Sequence, residues 1–378
     1  MSAVLTINLS KIKENYKFCK SMVNCAPVLK CNAYGFGAKE IFNTLYKDGC
    51  RSFFFKSYSE VVKLSTGDAK IYILTYDKNF AEEIWCNNYI PVLSSVENAL
   101  HWRNVCTKFG YQKLCVIHVE TGLNRLAMPV RDLHEILSKE FKVDFLMNHF
   151  ASAYSGDFQA INSQLSIVQN VYTKYSNIKW SLSSSSGFCV ESLWKRQSIT
   201  YKTGTNDYFS QNYDFNYHSL PNNHLLRLGR FLYGSTEGVY CKPHNHIKPI
   251  AQLKCEILSI QKLDEGMSVG YDFLYTAQKS HHIAIIDIGY GDGFHVQHGY
   301  VIYKSQNKVI YRCNIIGTIS MDYTVIDLSN IPNNLIVEGE FVEIFGEHIS
   351  LRDVSHFMNR TAFELTTNLG SRIKRKYI

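Results

Sequence analysis

Lys30, Arg125, His149, Ser185 and Arg227 stand at or just past the ends of apolar runs that read as strands. Lys30 ends PVLK, Arg125 follows LCVIHVE, His149 closes VDFLMNH, Ser185 lies in LSSSSGF and Arg227 in LLRLGR. Singly, each reads as an ordinary solvated strand end. Together, a lysine, a histidine, two arginines and a serine turn suit an anionic molecule with a carbonyl to capture. A lysine amine forms Schiff bases once burial or cationic neighbours lower its pKa from ~10.4. The serine turn precedes FCVESLWKRQ, a helical stretch, and N–H groups at a helix start bind phosphate. RLGR, with Gly229 and Arg230, offers a second such turn. Lysine, phosphate cradle and arginine are the groups that pyridoxal phosphate requires. A metal-free Schiff-base aldolase keeps Lys30 but leaves the serine turn without a use.

Elements must bring these residues to one place. RSFFFKS, KIYILTY, YIPVLSS, LCVIHVE, VDFLMNHF, NIKWSLSSSS and LLRLGRFLYG, together with PVLK, give about eight strands alternating with helical patterns such as VENALHWRNVCTKFG. Eight βα steps predict a closed parallel barrel, with strand ends converging on one face. A doubly wound sheet is the rival, but no G-x-G-x-x-G follows the first strand. After about residue 240 the texture turns β-rich: AQLKCEILSIQKL, HHIAIIDIG, YVIYKSQNKVIYRCNIIG, YTVIDLS and EGEFVEIFG alternate with turns. The expected fold class is therefore α/β, an eight-stranded (β/α) barrel over 8–238 followed by a mostly antiparallel β-domain over 239–378. The N-terminal strand, residues 1–7, is expected to join the second domain. One polar, tyrosine-rich segment, 201–224, reads as a lid, a dimer contact or a floppy loop.

These residues carry a family resemblance. PVLKCNAYGFGA resembles the cofactor-lysine motif of the alanine racemases, with Lys30 in the Schiff-base position and Tyr34 in a phosphate-contacting one. ETGLNRLAM, MNHFASA, LSSSSGF and LLRLGRFLYG resemble further family segments, and VGYDFLYTA, IGYGDGF, IGTISMDYT and ELTTNLGSRIKR do so in the second domain. The matches occur in order along nearly the whole chain. The resemblance implies a head-to-tail homodimer with shared sites, pyridoxal 5'-phosphate as cofactor and interconversion of L- and D-alanine. It implies Lys30 and Tyr271 of a second copy as the two bases. Tyr34, His149, Ser185, Arg227, Gly229 and Arg230 would hold the cofactor, and Arg125, Tyr290, Met321 and Asp322 the substrate. An arginine facing the pyridine nitrogen leaves that nitrogen unprotonated, which limits side reactions.

Four positions depart from the family pattern. His118 stands where many members have a lysine, often carbamylated, that supports the arginine matched by Arg125. Ser320 replaces a cysteine, Ser371 stands where some members place a phosphate-contacting tyrosine, and Ser184 replaces an asparagine. Rival readings are a serine or broad-specificity racemase, a decarboxylase or lyase of the same architecture, and a non-catalytic cofactor carrier. Decarboxylases of this type usually set a carboxylate against the ring nitrogen, so Arg227 counts against that reading. A carrier leaves the second domain unexplained.

Bulk properties bound the partners. The chain has 378 residues, 46% hydrophobic and 19% charged, with a net charge of +7, which is globular and only mildly basic. The basic stretch SRIKRKYI reads as a solvated or interface-lying tail, so no nucleic-acid partner is expected. No apolar run reaches the ~18–20 residues that cross a bilayer. Eleven cysteines spread through apolar segments fit a reducing compartment, and a cytoplasmic protein is expected. Cys241, His244 and His246 have metal-ligand spacing but no fourth ligand, so no metal is expected. His281 and His282 read as a surface pair.

Overall fold

The computed structural model describes residues 3–189, 220–236, 246–296, 298–332 and 334–378. The chain divides into two compact units. One comprises Ile12–Cys31 and Phe42–Lys248, the other Met1–Lys11, Asn32–Ile41 and Pro249–Ile378.

The first strand in the chain, β1 (Val4–Ile7), belongs to the second-named unit, and the next eight form the barrel. These are β2 (Cys25–Pro27), β3 (Ser52–Phe55), β4 (Lys70–Ile73), β5 (Ile90–Leu93), β6 (Leu114–His118), β7 (Lys142–Met147), β8 (Trp180–Ser181) and β9 (Leu226–Leu228). β3 to β8 form one parallel sheet in sequence order, and β2 pairs in parallel with β9. Parallel bridges Val28↔Phe54 and Ser184↔Arg227 link the two sets and close the ring. The strands are apolar on both faces because a barrel strand is covered within and without. Phe53, Phe54 and Phe55 are all fully buried, and so are Val92 and Leu93. Truncating one such ring, as in Phe54→Ala, costs about 3–5 kcal/mol.

Helices follow the strands for the reasons their sequences supply. Val96–Lys108 buries Ala99, Trp102, Val105 and Cys106, at spacings of three and four, and Ser95 caps it by accepting the Asn98 N–H at 3.1 Å. Phe158–Lys174 buries Ile161, Leu165, Val168 and Val171, and Asp157 caps it through the Ala160 N–H. The helix that follows β3 is short, Tyr58–Val61. Leu64, Ser65 and Thr66 lead there into Gly67 at φ 55°, a backbone that ends a helix.

The second unit is built on antiparallel strands: β10 (Ala251–Leu263), β11 (Ser268–Val269), β12 (Tyr275–Thr276), β13 (His281–Ile286), β14 (Tyr300–Lys304), β15 (Ile310–Ile316), β16 (Thr324–Asp327), β17 (Phe341–Phe345) and β18 (Lys374–Tyr377). The main sheet has the order β13-β16-β15-β14-β17-β10-β1-β18. β10 closes it on itself: residues 253–256 pair with β17, and a bulge between Ile257 and Ser259 turns the strand so that its second half pairs with β13. Leu253, Cys255 and Ile257 alternate inward along β10, as a half-buried strand requires. β1 runs antiparallel to β10 and parallel to β18. The basic C-terminal stretch is thus a paired sheet strand, with Lys374 and Lys376 still exposed.

Among the described residues no helix is long and apolar enough to cross a membrane, and no cluster of His, Cys, Asp or Glu could hold a metal ion. Cys241, His244 and most of segment 201–224 lie outside the described residues, as does the stretch after Cys189. His246 stacks on Phe18 with ring centroids 4.9 Å apart.

Candidate active site

Two residues, Val28 and Leu29, separate Lys30 from the end of β2. Leu29 N–H still donates to Phe54 O at 2.8 Å, so the amine leaves from the last point of strand pairing. Burial lowers the Lys30 pKa first, and the charge of Arg125 lowers it further. Immediately beyond, Cys31, Asn32, Ala33 and Tyr34 have φ of 52°, 52°, 53° and 57°, a turn of left-handed helix built without glycine. Each such residue costs roughly 1–2 kcal/mol, so its surroundings must hold it in place. Glu60 Oε1 accepts the Cys31 N–H at 2.8 Å. Asn32 O accepts the Gly37 N–H, and Asn32 Oδ1 accepts the Ala38 N–H. Tyr34 packs edge-on to Phe363, and Arg375 Nε donates to Gly35 O at 2.9 Å. At Gly35 (φ 87°) a Cβ would lie 1.9 Å from Thr366 O, so no other residue fits.

Arg227, on β9, is 4% exposed. Its guanidinium donates to Ser181 O at 2.7 Å, to Ser181 Oγ at 2.5 Å and to Asn148 O at 2.5 Å. Burial, with Arg125 adding to it, pulls its pKa down to about 9. His118, at the end of β6, is pushed down to about 4 by burial and then by Arg227 and Arg125. His149 is held well below the ordinary histidine value by burial and the same two arginines. Both imidazoles are therefore neutral near pH 7, and His118 brings no charge to Arg125.

The loop carrying Arg125 is held by Glu120 instead. Its carboxylate accepts the N–H groups of Gly122, Asn124 and Arg125 at 2.6, 3.0 and 3.3 Å. Burial would raise that carboxyl, but the backbone donors outweigh it and its pKa is lowered. Gln164 fastens the same loop from outside. Its Nε2 donates to Thr121 Oγ1 and His149 O, and its Oε1 accepts the Ala151 N–H. His118, Arg125 and His149 share one small cleft with Glu120 and Thr121.

Ser185 lies where the backbone turns helical and is 1% exposed. Its Oγ accepts the N–H of Gly229 at 3.1 Å and of Phe231 at 3.4 Å, tying the serine turn to the RLGR turn. A hydroxyl that accepts twice still has its proton to donate. Arg230 lies over the Tyr154 ring at 4.4 Å and reaches Ser235 Oγ.

In the other unit, Tyr271 opens a short turn after Gly270 (φ 74°) in which Asp272 and Phe273 also have positive φ. It is 69% exposed, and its carbonyl accepts from Thr318 Oγ1 at 3.2 Å. Tyr290 and Met321 are neighbours: Tyr290 N–H donates to Ser320 O, and Gly291 N–H to Met321 O at 2.9 Å. A Cβ on Gly289 would lie 2.4 Å from Met321 O, so glycine permits that approach. Ser320 closes its own turn, its hydroxyl donating to Tyr323 O and accepting the Tyr323 N–H. Asp322 accepts from Arg372 Nη1 at 2.6 Å.

The barrel set is rich in cations, and Glu60 and Glu120 spend their charge on backbone N–H groups. Among the described residues, the wholly buried side-chain amide of Asn148 has neither atom paired. A surplus of positive charge, a donor hydroxyl and an unpaired buried amide suit an anionic, many-oxygened ligand, so these residues fit pyridoxal phosphate. The alanine racemase N-terminal domain matches residues 7–199, and the alanine racemase C-terminal domain matches 250–377.

The chain belongs to the alanine racemase family.

An alanine racemase of Rhodospirillum rubrum is 27% identical over 390 residues, covering 100% of this chain and 96% of its own. A biosynthetic alanine racemase of Agrobacterium fabrum is 26% identical, covering 99% of this chain and 93% of its own. The crystal structure of alanine racemase from Bartonella henselae, with covalently bound pyridoxal phosphate, superposes with a TM-score of 0.84. It is 26% identical to this chain and is covered throughout, as is this chain. Membership in the alanine racemase family fits the eight-stranded barrel and the β-domain.

The structure thus brings Lys30, His118, Arg125 and Arg227 within electrostatic reach of His149, joins Ser185 to Gly229, and sets the Tyr290 turn beside the turn of Met321 and Asp322. Glu120, Gln164, Asn148, Asp292 and Arg372 were missed by sequence reasoning. Only the carboxylate of Glu120, two to five residues before the N–H groups it accepts, left a local signal. His281 is not a surface residue, since its side chain is 7% exposed with Nε2 3.6 Å from Asp327.

Proposed function

We propose that this chain interconverts L- and D-alanine with pyridoxal 5'-phosphate. The observation that carries the reading is a lysine just past β2, whose neighbouring strand β9 carries the buried Arg227, in a chain of this family. Bound pyridoxal phosphate supplies the electron sink that acidifies the α-hydrogen of an attached amino acid.

The chain's own groups do the rest. Lys30 anchors the cofactor, and its amine, unprotonated more often than a free lysine's, takes or returns a proton on one face. Tyr271 of a second copy serves the other face. Neutral His149 accepts a hydrogen bond from that phenol, and Arg227 favours the phenolate electrostatically. Arg227 would face the pyridine ring nitrogen of the cofactor and, having no acceptor, would leave that nitrogen unprotonated. Ser185, Gly229, Arg230 and Tyr34 receive the phosphate. Arg125, on the loop fastened by Glu120, binds the substrate carboxylate. Tyr290, Met321 and Asp322 bound the space for the side chain.

A homodimer with shared sites is supported by the exposure of Tyr271, Phe273 and Leu274, at 69%, 72% and 75%. Adjacent large apolar side chains on a held turn fit an interface. We assign residues 8–238 to the barrel domain and 239–378 with 1–7 to the β-domain; the pairing of β1 with β10 and β18 supports placing the N-terminal strand there, while the compact units set the boundary at Lys248 and group Asn32–Ile41 with the β strands. Cytoplasmic location and supply of D-alanine for peptidoglycan complete the reading. The free thiols of the described cysteines and the biosynthetic Agrobacterium relative support them. No nucleic-acid or membrane partner is proposed.

The test is α-deuterium exchange in D2O on a panel of L- and D-amino acids with the cofactor at saturation. Exchange of both alanine enantiomers, faster than serine, is expected. No exchange of either, or a preference for another amino acid, would overturn the proposal.

A further inference from the structure

Two turns of the β-domain carry the side chains proposed to face the substrate, and one side chain bridges both. Arg372 Nε donates to Asp292 Oδ1 at 2.8 Å, in the Tyr290–Asp292 turn. Arg372 Nη1 donates to Asp322 Oδ1 at 2.6 Å, in the turn that carries Met321. Asp292 is 5% exposed, and its second oxygen accepts the Gly289 N–H at 3.0 Å, so the near end of the clamp is anchored in the backbone. Gly291 leaves room for the guanidinium, since a Cβ there would lie 2.8 Å from Arg372 Nη2 and 2.9 Å from Met321 O.

We infer that Arg372 is a positioning residue that fixes the spacing between the Tyr290 ring and the Met321 side chain, and thereby the preference for alanine over larger substrates. The inference rests on the racemase reading of these two turns.

The remaining links are the backbone bonds Tyr290 N–H to Ser320 O and Gly291 N–H to Met321 O, and, at the base of the turns, Thr324 Oγ1 to Ile288 O at 2.7 Å. None of them reaches Asp322, which Arg372 alone ties back among the described residues. Two carboxylates bonded to one guanidinium lie within a few ångströms of each other. Without the cation they repel, and the Met321 turn is pushed away from the Tyr290 turn. Only a planar fork spans both partners. A lysine ammonium is a point charge and cannot reproduce that geometry.

The experiment compares wild-type holoenzyme with Arg372→Lys and Arg372→Ala. Arg372→Lys is expected to keep the cofactor absorbance and to raise the KM for alanine about 5–10-fold, with kcat within about two-fold, the pattern of lost binding and not lost chemistry. The alanine-to-serine ratio of kcat/KM should narrow at least about three-fold, because discrimination by one small group needs a fixed wall. In Arg372→Ala the KM defect should shrink at high salt, which screens the exposed Asp322 from Asp292. Unchanged KM and ratio in Arg372→Lys, or a fall in kcat alone, overturns the inference. Amide hydrogen exchange over 289–293 and 318–324 gives an answer without turnover: faster exchange in either variant supports the clamp, and exchange equal to wild type overturns it. A wild type that does not racemise alanine overturns the racemase reading and leaves the exchange result to decide the clamp.

Discussion

Arg227 and His118 of the barrel are 4% and 7% exposed, whereas Tyr271 and Met321 of the β-domain are 69% and 55% exposed. The two regions solve different problems. A buried cation must have its N–H groups satisfied, and Arg227 reaches Ser181 and Asn148 for that purpose. The result is a rigid site with a preset field, in which the two histidines are neutral and the Lys30 pKa is lowered. The β-domain turns are held by backbone bonds and by Arg372, and their site side chains point into the open. Changes in the barrel should therefore disturb folding and chemistry together, while changes on the turns should separate them.

The sharpest test of the barrel half is Lys30→Ala. Racemisation should fall by at least ~10³-fold, and the visible cofactor band of the wild type should disappear, since anchor and base go together. A variant that keeps its band breaks the comparison. Tyr271→Phe tests the other half. Exchange on one face should fall by ~10²–10⁴-fold with the other face spared, and thermal stability should stay within about 0.5 kcal/mol for so exposed a hydroxyl. Equal loss from both alanine enantiomers would count against the two-base scheme.

Arg227→Ala should be the opposite case, a large stability loss. Removing the donor leaves the buried carbonyl of Asn148 unsatisfied and Ser181 O with only the longer Asn148 N–H bond at 3.4 Å, a loss of about 1–3 kcal/mol that denaturant titration would register. The smallest effect is pH-dependent. The folded His118 pKa, depressed to about 4, means that the unfolded chain gains a proton first as pH falls below ~6.5. Stability is thus lost between pH ~6.5 and 4 and no further below. His118→Gln should remove up to about 3 kcal/mol of that fall, at ~1.36 kcal/mol for each pH unit between the unfolded and folded values. A variant with the wild-type pH slope would show that His118 is not buried neutral.

The barrel was legible because its strands are uninterrupted apolar runs, and runs such as SFFF and IPVL carry their burial in their composition. Strand-end reading likewise singled out Lys30, His149, Ser185 and Arg227 as candidates, since strand ends of a barrel converge on one face. Tyr290 and Met321 came from motif likeness, and their contact became visible only in the fold. What stayed hidden depends on partners far away in sequence. Arg372 looked like part of a charged tail because Asp292 and Asp322 lie 80 and 50 residues earlier. Gln164 looked like any residue on a helix that buries four aliphatics. The turn at KCNAYG gave no warning either, for none of its four left-handed residues is glycine.

That turn reverses the usual rules of substitution. In an ordinary helix, replacing a residue by glycine costs up to about 1 kcal/mol. At exposed Cys31, with φ 52°, glycine relieves a penalty of roughly 1–2 kcal/mol and forfeits about half of it to a floppier unfolded chain. Cys31→Gly should therefore hold or raise the melting temperature, and Cys31→Val should lower it. A library built to harden this protein would discard its best candidates here if it followed helix propensity, one residue from the proposed anchor of the cofactor.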